Sequence, residues 1–455
     1  MSKNKTSIEF INHASVLLTY NQTSILSDPW YFNSVFNKGW RLLYENETNY
    51  IENVLDRVNY IYISHEHPDH FNPQFLSDPK IKERILGNKI KFLFQETRDK
   101  RVLSFLKKMG FDVQECPLDR MIKLNHETKI SISRHDFYDS SILIKFPDAS
   151  ILNLNDCPLR DAKDIKKFKK KIGKVDLLLT QFSYAAWKGP ESNSNLRLSS
   201  AKEKIQNIID QNKFLQPKTV LPFASYIYFS NEMNFYMNKD SNKPIKIYEQ
   251  LIKEKINPVI LKPGEIQDVD CLKQNRTSLD FWSNLMKNLH NNKTDKFDKN
   301  ISLDNLNCEF LNYKKKIFKK NSLFIVKVLN KIKFLNLFQN INIYLIDHKK
   351  NYNFSIITGL VESNEGKIDI KMHSESLYFI LKNEFGYDTL TVNGCFESSF
   401  DKFNKVSKTL ALGSLNSMGI NLNIFIIFKA NIIIIFLKKL RAFINKAKSP
   451  TSLEY

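Results

Sequence analysis

Short apolar runs separated by polar turns dominate the first 265 residues. Ile8, Phe10, Val16, Leu18 and Ile25 recur at strand-like spacing, break at Asn21-Gln22 and close on Ser27-Asp28-Pro29-Trp30, which predicts a hairpin and its exit over residues 7 to 30. Further strands are predicted at 58–64 (VNYIYIS), 90–94, 129–133, 141–146, 150–154 and 175–180, with helical periodicity at 97–109 and 199–211. Strands alternating with helices predict a layered α/β domain over residues 1–265. The segment 163–174, KDIKKFKKKIGK, is its densest basic run, and at helical spacing the lysines cover a solvated face.

From 266 to 300 the chain loses periodicity and becomes rich in Asn, Lys and Asp, the pattern of a connection. Beyond it, strands at 341–346, 354–360, 367–371 and 389–396 with a helix at 374–383 predict a smaller, accessory α+β domain over 301–455. Residues 424–437, IFIIFKANIIIIFL, are the most apolar stretch, but Lys429 and Asn431 interrupt it well short of the roughly 18–20 residues that span a bilayer. Lys438, Lys439, Arg441, Lys446 and Lys448 follow. Two readings of 424–448 stand: a buried terminal strand and helix, or a helix lying on an anionic membrane surface.

Composition narrows the class. With 42% hydrophobic, 12% aromatic and 25% charged residues over 455 positions, the chain has the make-up of a folded globular protein and not of a disordered or collagenous one. Lys+Arg 68 against Asp+Glu 48 leaves a formal charge of +20, which favours an acidic partner such as an anionic small molecule, nucleic acid or membrane. A/T-biased codons give the same drift toward Lys, Asn and Ile. Five dispersed cysteines without a C-x-x-C pair speak against a disulfide framework or thiolate zinc site and for a reducing compartment. The first twenty residues lack the apolar core and cleavage site of a signal peptide, so the expected location is cytoplasmic, with peripheral contact at the inner membrane face as the alternative.

The strongest chemical signal is Ser64-His65-Glu66-His67-Pro68-Asp69-His70, directly after the apolar strand 58–63. Three imidazoles and a carboxylate at a strand end can converge on one point, and neutral imidazole with carboxylate oxygen binds zinc, iron or manganese. His135 follows the predicted strand 129–133 and Asp156 the strand 150–154, both where a strand gives way to a loop.

This order of motif, later histidine and later aspartate resembles the metallo-β-lactamase superfamily. The resemblance implies an αββα sandwich with metals at one edge of two packed sheets. It makes His65, His67 and His135 ligands of a first metal, Asp69 and His70 of a second, and Asp156 the carboxylate bridging both. One or two divalent ions are implied, zinc foremost, with iron or manganese as alternatives. Asn12-His13-Ala14-Ser15 and Ser27-Asp28-Pro29-Trp30 further resemble the branch of lactonase-like and N-acyl-phosphatidylethanolamine phospholipase D-like proteins. Asp28 is then a carboxylate steadying the histidine loop from behind, against its plain reading as a turn residue. His13 either faces the site or ends its strand.

Asp139-Ser140-Ser141, Leu154-Asn155-Asp156-Cys157, the run Gln181 to Trp187, and Leu221-Pro222-Phe223-Ala224-Ser225 with Asn231-Glu232 resemble the metallo-β-lactamase-fold part of the CMP-N-acetylneuraminate hydroxylases. Those enzymes also carry a Rieske domain built on Cys-x-His and Cys-x-x-His pairs. Neither pair occurs in this sequence, so a hydroxylation would take electrons from a separate protein. Dinuclear members of the superfamily supply a last histidine late in the domain, yet none occurs between His135 and His290. Asn231, Glu232 or a carbonyl in 222–235 replaces it, or only one metal binds tightly.

The expected activity is metal-dependent hydrolysis of an anionic phosphorylated, lactone or nucleotide-sugar-like small molecule by metal-activated water, with Asp69 holding that water and moving its proton. Trp30, Trp40, Tyr184 and Trp187 offer stacking faces to substrate, with Asn231 and Glu232 on the neighbouring loop; each aromatic has a core reading as well. An iron-dependent oxygenase component acting on a CMP-activated sugar and a non-catalytic metal-binding protein are the alternatives. A nucleic-acid hydrolase is disfavoured, because the short stretch after Asp156 leaves no clamping insertion.

Overall fold

The computed structural model describes residues 4–332, 337–364, 366–417 and 419–423; the stretch 424–448 lies outside the described residues. A seven-stranded sheet runs in the order Ile266–Asp268, Ser7–Asn12, Ser15–Tyr20, Thr23–Ser27, Tyr60–Ile63, Lys91–Gln95, Asp112–Cys116. Its strands pair antiparallel as far as Thr23–Ser27 and parallel beyond it. A six-stranded sheet lies against it in the order Thr219–Phe223, Leu177–Gln181, Ser150–Asn153, Asp139–Lys145, Lys129–His135, Ile122–Lys123.

Side-chain alternation makes the layers. In Tyr60–Ile63, Tyr62 points between the sheets to join Ile8, Phe10, Ile132, Ile142 and Leu179. Ile61 and Ile63 point outward under the helices Thr48–Leu55, Pro79–Gly87 and Arg101–Lys108. Asp78 accepts from Lys80 and Ile81 N–H with Pro79 in the first turn, so one of these helices starts where local chemistry dictates. On the far side, Ala162–Ile172 is capped by Asp161, buries Ile165, Phe168 and Ile172, and turns its lysines outward; Ser194–Leu215 packs beside it. The result is the αββα sandwich.

The segment 266–300, read above as a connection, folds onto this sandwich instead. Ile266–Asp268 extends the first sheet by pairing with Ser7–Asn12. The helix Arg276–Lys287 seats fully buried Trp282 against Phe10 and Tyr226, at centroid distances of 6.2 and 4.3 Å. Leu279 and Trp282 are an i, i+3 pair that the surrounding Asn and Lys mask.

Among the described residues after 300, a sheet ordered Gly359–Glu362, Lys350–Ser355, Ile341–Leu345, Ile370–Met372 packs with six helices, from Leu303–Lys320 to Leu412–Ser417. Residues 389–396 are not a strand: Gly386–Asn393 is a helix burying Tyr387, Leu390 and Thr391 at helical spacing, closed by Gly394 at φ +65°. The predicted strand 354–360 straddles a turn between two strands. This region shares an apolar cluster with the loops of the sandwich, where Trp30, Trp40, Tyr184 and Trp187 meet Phe396, Phe403 and their neighbours. Gly39 permits the approach, since a Cβ there would lie 2.4 Å from Asn393 Cβ. No helix among the described residues is long and apolar enough to cross a membrane.

Candidate metal centre

The centre is built from strand ends of both sheets at one edge. His13 occupies the turn after Ser7–Asn12, the histidine hexapeptide follows Tyr60–Ile63, Asp139 opens Asp139–Lys145, and Asp156 follows Ser150–Asn153. His13, Asp28 and Asn155 hold positive φ values of 30°, 36° and 50°, conformations that non-glycine residues keep only where their surroundings enforce them.

Two ligand clusters form. His65, His67 and Asp156 make one, and His13, Asp69 and His70 the other, with the donor atoms of each within 4.8 Å of one another. His65 Nε2 lies 2.8 Å from His67 Nδ1, 3.8 Å from Asp156 Oδ2 and 3.9 Å from Asp139 Oδ1. His70 Nε2 lies 3.3 Å from Asp69 Oδ2 and 3.7 Å from the same Asp156 oxygen, which therefore stands between the clusters. His13 Nε2 lies 3.3 Å from Asp69 Oδ2. Donors about 2.1 Å from a shared ion stand roughly 3–4 Å apart, so these separations fit a pair of divalent ions. Asp69 Oδ1 and Asp156 Oδ1 are buried without a hydrogen-bond partner, which an ion would supply.

The electrostatics agree. Burial holds His65, His67 and His13 below the usual imidazole range, in the neutral form that ligates metal. Burial and the neighbouring Asp156 push Asp139 well above the carboxylate range; against the same burial penalty, His65 and His70 hold Asp156 low. His70 overcomes burial and is raised by Asp69, Asp156 and Asp28. Carboxylates crowded in a buried space are stabilised by positive charge among them, supplied by a protonated His70 or by a bound cation when His70 ligates as neutral imidazole.

Asp28 sits behind the loop. Its Oδ1 accepts from Ser64 N–H at 2.7 Å, and its Oδ2 lies 2.8 Å from Ser64 Oγ and 3.0 Å from His70 Nδ1. Ser64 Oγ is also 3.0 Å from His65 Nδ1. One carboxylate and one hydroxyl thus orient both imidazoles with Nε2 toward the centre.

His135 lies in neither ligand cluster. The strand runs on through it, pairing His135 with Asp139. Its Nε2 bonds Ser141 Oγ at 2.8 Å, and its ring packs on Phe168 at 5.1 Å. The hairpin contributes Asp139 to the centre instead, one strand later than the sequence pattern indicated. In place of a late histidine the second cluster holds His13, while Asn231 and Glu232 lie in neither cluster. Asn231 is buried, bonding Lys38 O and Met233 N, and the Glu232 side chain is exposed.

The expected substrate-stacking aromatics are packed away. Trp30 is buried edge-on to His13, with its indole N–H on Phe32 O. Trp187 packs against the stacked pair Phe396 and Phe403, at 5.0 and 4.8 Å. Trp40 is buried against Phe36 and Phe229. Tyr184 donates its hydroxyl to Met237 O and lines a narrow cavity with His13, Ser183 and Ser225. Beside the hexapeptide, Arg101 bonds Glu66 at 2.9 Å and sits over Phe385 and Tyr138, at 4.3 and 5.8 Å. The sequence pattern did not single out this group.

Residues 7–127 match the beta-lactamase superfamily domain. With the αββα layering, the match gives the N-terminal domain the metallo-β-lactamase fold, with the two candidate ligand clusters at one edge of its sheets. The chain is similar to the cytidine monophosphate-N-acetylneuraminic acid hydroxylase of Danio rerio, 21% identical over 291 residues, covering 60% of this chain and 47% of that protein. The Cricetulus griseus protein of the same name is 24% identical over 274 residues, covering 56% of this chain and 46% of the relative. The chain thus spans about half the length of the curated relatives it matches. Among solved structures it is similar to CmlA, a diiron β-hydroxylase from Streptomyces venezuelae, at a TM-score of 0.43 and 14% identity over 59% of this chain and 55% of that one.

Proposed function

We propose that the chain is an oxygen-activating dinuclear iron enzyme that hydroxylates an anionic, nucleotide-activated sugar. Asp139 carries the reading: its carboxylate stands near His65 Nε2 where a zinc-type site would draw a third imidazole from His135. Each half of the centre then has two imidazoles and carboxylate oxygens, the 2-His-carboxylate set of non-haem iron sites, which zinc also accepts, and the added carboxylate oxygen favours the harder ion. When bound, the metal pair supplies reductive activation of dioxygen, in which one oxygen atom enters a substrate C–H bond and the other leaves as water with two electrons and two protons taken up.

The chain's own residues position and select. Asp28 and Ser64 fix the imidazoles of His70 and His65. Arg101, Tyr138 and Phe385 set a guanidinium and two aromatic faces beside the hexapeptide, chemistry that meets an anionic nucleotide by charge and stacking. The sugar-nucleotide class is supported by the names of the curated relatives.

A second reading, hydrolysis by metal-activated water, is favoured by Asp69 Oδ1, a buried carboxylate oxygen free to hold that water. Elemental analysis of protein purified without added metal, with oxygen uptake in the presence of a chemical reductant and CMP-N-acetylneuraminate, separates the two. Iron in both half-sites and a product heavier by one oxygen atom are expected. Bound zinc with cleavage of a lactone or phosphodiester and no oxygen uptake would establish the hydrolase.

A further inference from the structure

From Phe310 to Ile346 the chain contains no Asp or Glu, while it carries Lys314, Lys315, Lys316, Lys319, Lys320, Lys327, Lys331 and Lys333. Most of this stretch forms the end of the helix Leu303–Lys320 and the helix Leu323–Lys331. On the second helix Phe324, Lys327, Val328 and Lys331 recur at i, i+3, i+4 and i+7, and all four are exposed, Phe324 at 73% and Val328 at 41%. The opposite face is anchored by fully buried Val326. An amphipathic helix of a globular protein carries polar residues on its water side; this one alternates apolar and cationic side chains there. The preceding helix repeats the pattern with Leu311, 56% exposed, in one row with Lys315 and Lys319.

The described chain ends at the same place. Ser322 N–H donates to Leu422 O and Leu422 N–H to Asn321 Oδ1, both at 2.7 Å, so the last described residues lie beside the start of this helix. In sequence residues 424–455 add Lys429, Lys438, Lys439, Arg441, Lys446 and Lys448, with no carboxylate before Glu454. Folding the basic part of that segment, 438–448, over Phe324 and Val328 would set cation against cation. A nucleic acid would meet the lysines but has no apolar layer for Val328 and Leu311. An anionic bilayer offers both, phosphate headgroups for the lysines and acyl chains for the apolar side chains.

We infer that the exposed face of Leu323–Lys331, with the adjoining end of Leu303–Lys320, is a docking surface for an anionic lipid membrane. The test is sedimentation of the full chain with phosphatidylcholine vesicles, with and without phosphatidylserine, at low salt. The chain should partition at least about tenfold more strongly onto the phosphatidylserine vesicles, and Phe324→Glu with Val328→Glu should lower that partition at least about tenfold. Both side chains are exposed, so thermal unfolding of the double variant should match the wild type. A Phe324→Trp variant adds one indole to four buried ones; its emission should be red-shifted in buffer and move to the blue on phosphatidylserine vesicles. Equal partition of wild type and double variant, no preference for anionic vesicles, or a blue emission already in buffer, which would mean that the chain's own tail covers the face, each overturns the inference. Phe324-dependent binding to a single-stranded RNA oligonucleotide without vesicle binding overturns it as well.

Discussion

His13 Nε2 stands 3.3 Å from Asp69 Oδ2, which ties the turn of the opening hairpin to the histidine hexapeptide. The contact sets a third imidazole-bearing element beside Asp69 and His70, and we propose His13 as a ligand of the second half-site. His13→Ala is therefore expected to bind one metal equivalent where the wild type binds two, with the His65 and His67 half retained. Elemental analysis after gel filtration reads this directly, and an undiminished metal content would remove His13 from the ligand set.

Asp28 orients His70 and, through Ser64, His65. Asp28→Ala should weaken metal binding by roughly 10–100-fold, the range typical of partners that orient ligating histidines. Asp28→Asn keeps an acceptor for Ser64 N–H and tolerates the positive φ, so its loss should be smaller. Competition with a chelator of known affinity measures both, and equal losses would show that the carboxylate charge, not its geometry, matters.

The hexapeptide was legible because a short apolar strand feeding a polar, histidine-rich loop places donors at a sheet edge whatever surrounds them. Asp156 was legible for the same reason. His135 misled because its strand does not stop at residue 133: two further residues in the ladder keep its ring against Phe168, and the carboxylate opposite it enters the centre. A carboxylate opening a strand reads as a turn residue, so Asp139 stands out in the sequence only within the Asp139-Ser140-Ser141 resemblance and not as a ligand. His13 meets its partner only through tertiary folding. Trp282 was hidden in the same way, its core role masked by the polar composition around it.

Burial beside Phe168, with the Lys171 ammonium nearby, pushes His135 down to about 4, against a partial pull upward from Asp119. The unfolded chain binds that proton near pH 6.5. Stability contributed by neutral His135 is therefore fully present above about pH 6.5 and is lost as pH falls through about 4. The unfolding free energy of wild type minus that of His135→Gln should fall steadily between pH 7 and pH 4. A pH-independent difference in urea melts would contradict the neutral, buried assignment.

Trp282 joins the Asn-rich segment to the sandwich core. Trp282→Ala should cost on the order of 3–5 kcal/mol of unfolding free energy. Denaturant titration checks this, and a loss below about 1 kcal/mol would mean that the helix Arg276–Lys287 adds little to the core.

Metal stoichiometry of two single variants bears most directly on the dinuclear centre. Asp139→Ala removes a carboxylate near His65 Nε2, and His135→Ala removes an imidazole bonded to Ser141 outside the centre. Elemental analysis of both variants, purified beside the wild type without added metal, should find the wild-type iron content in His135→Ala and at least one equivalent lost from Asp139→Ala. Metal lost from His135→Ala and kept in Asp139→Ala would contradict the account and restore the histidine-rich, zinc-type site.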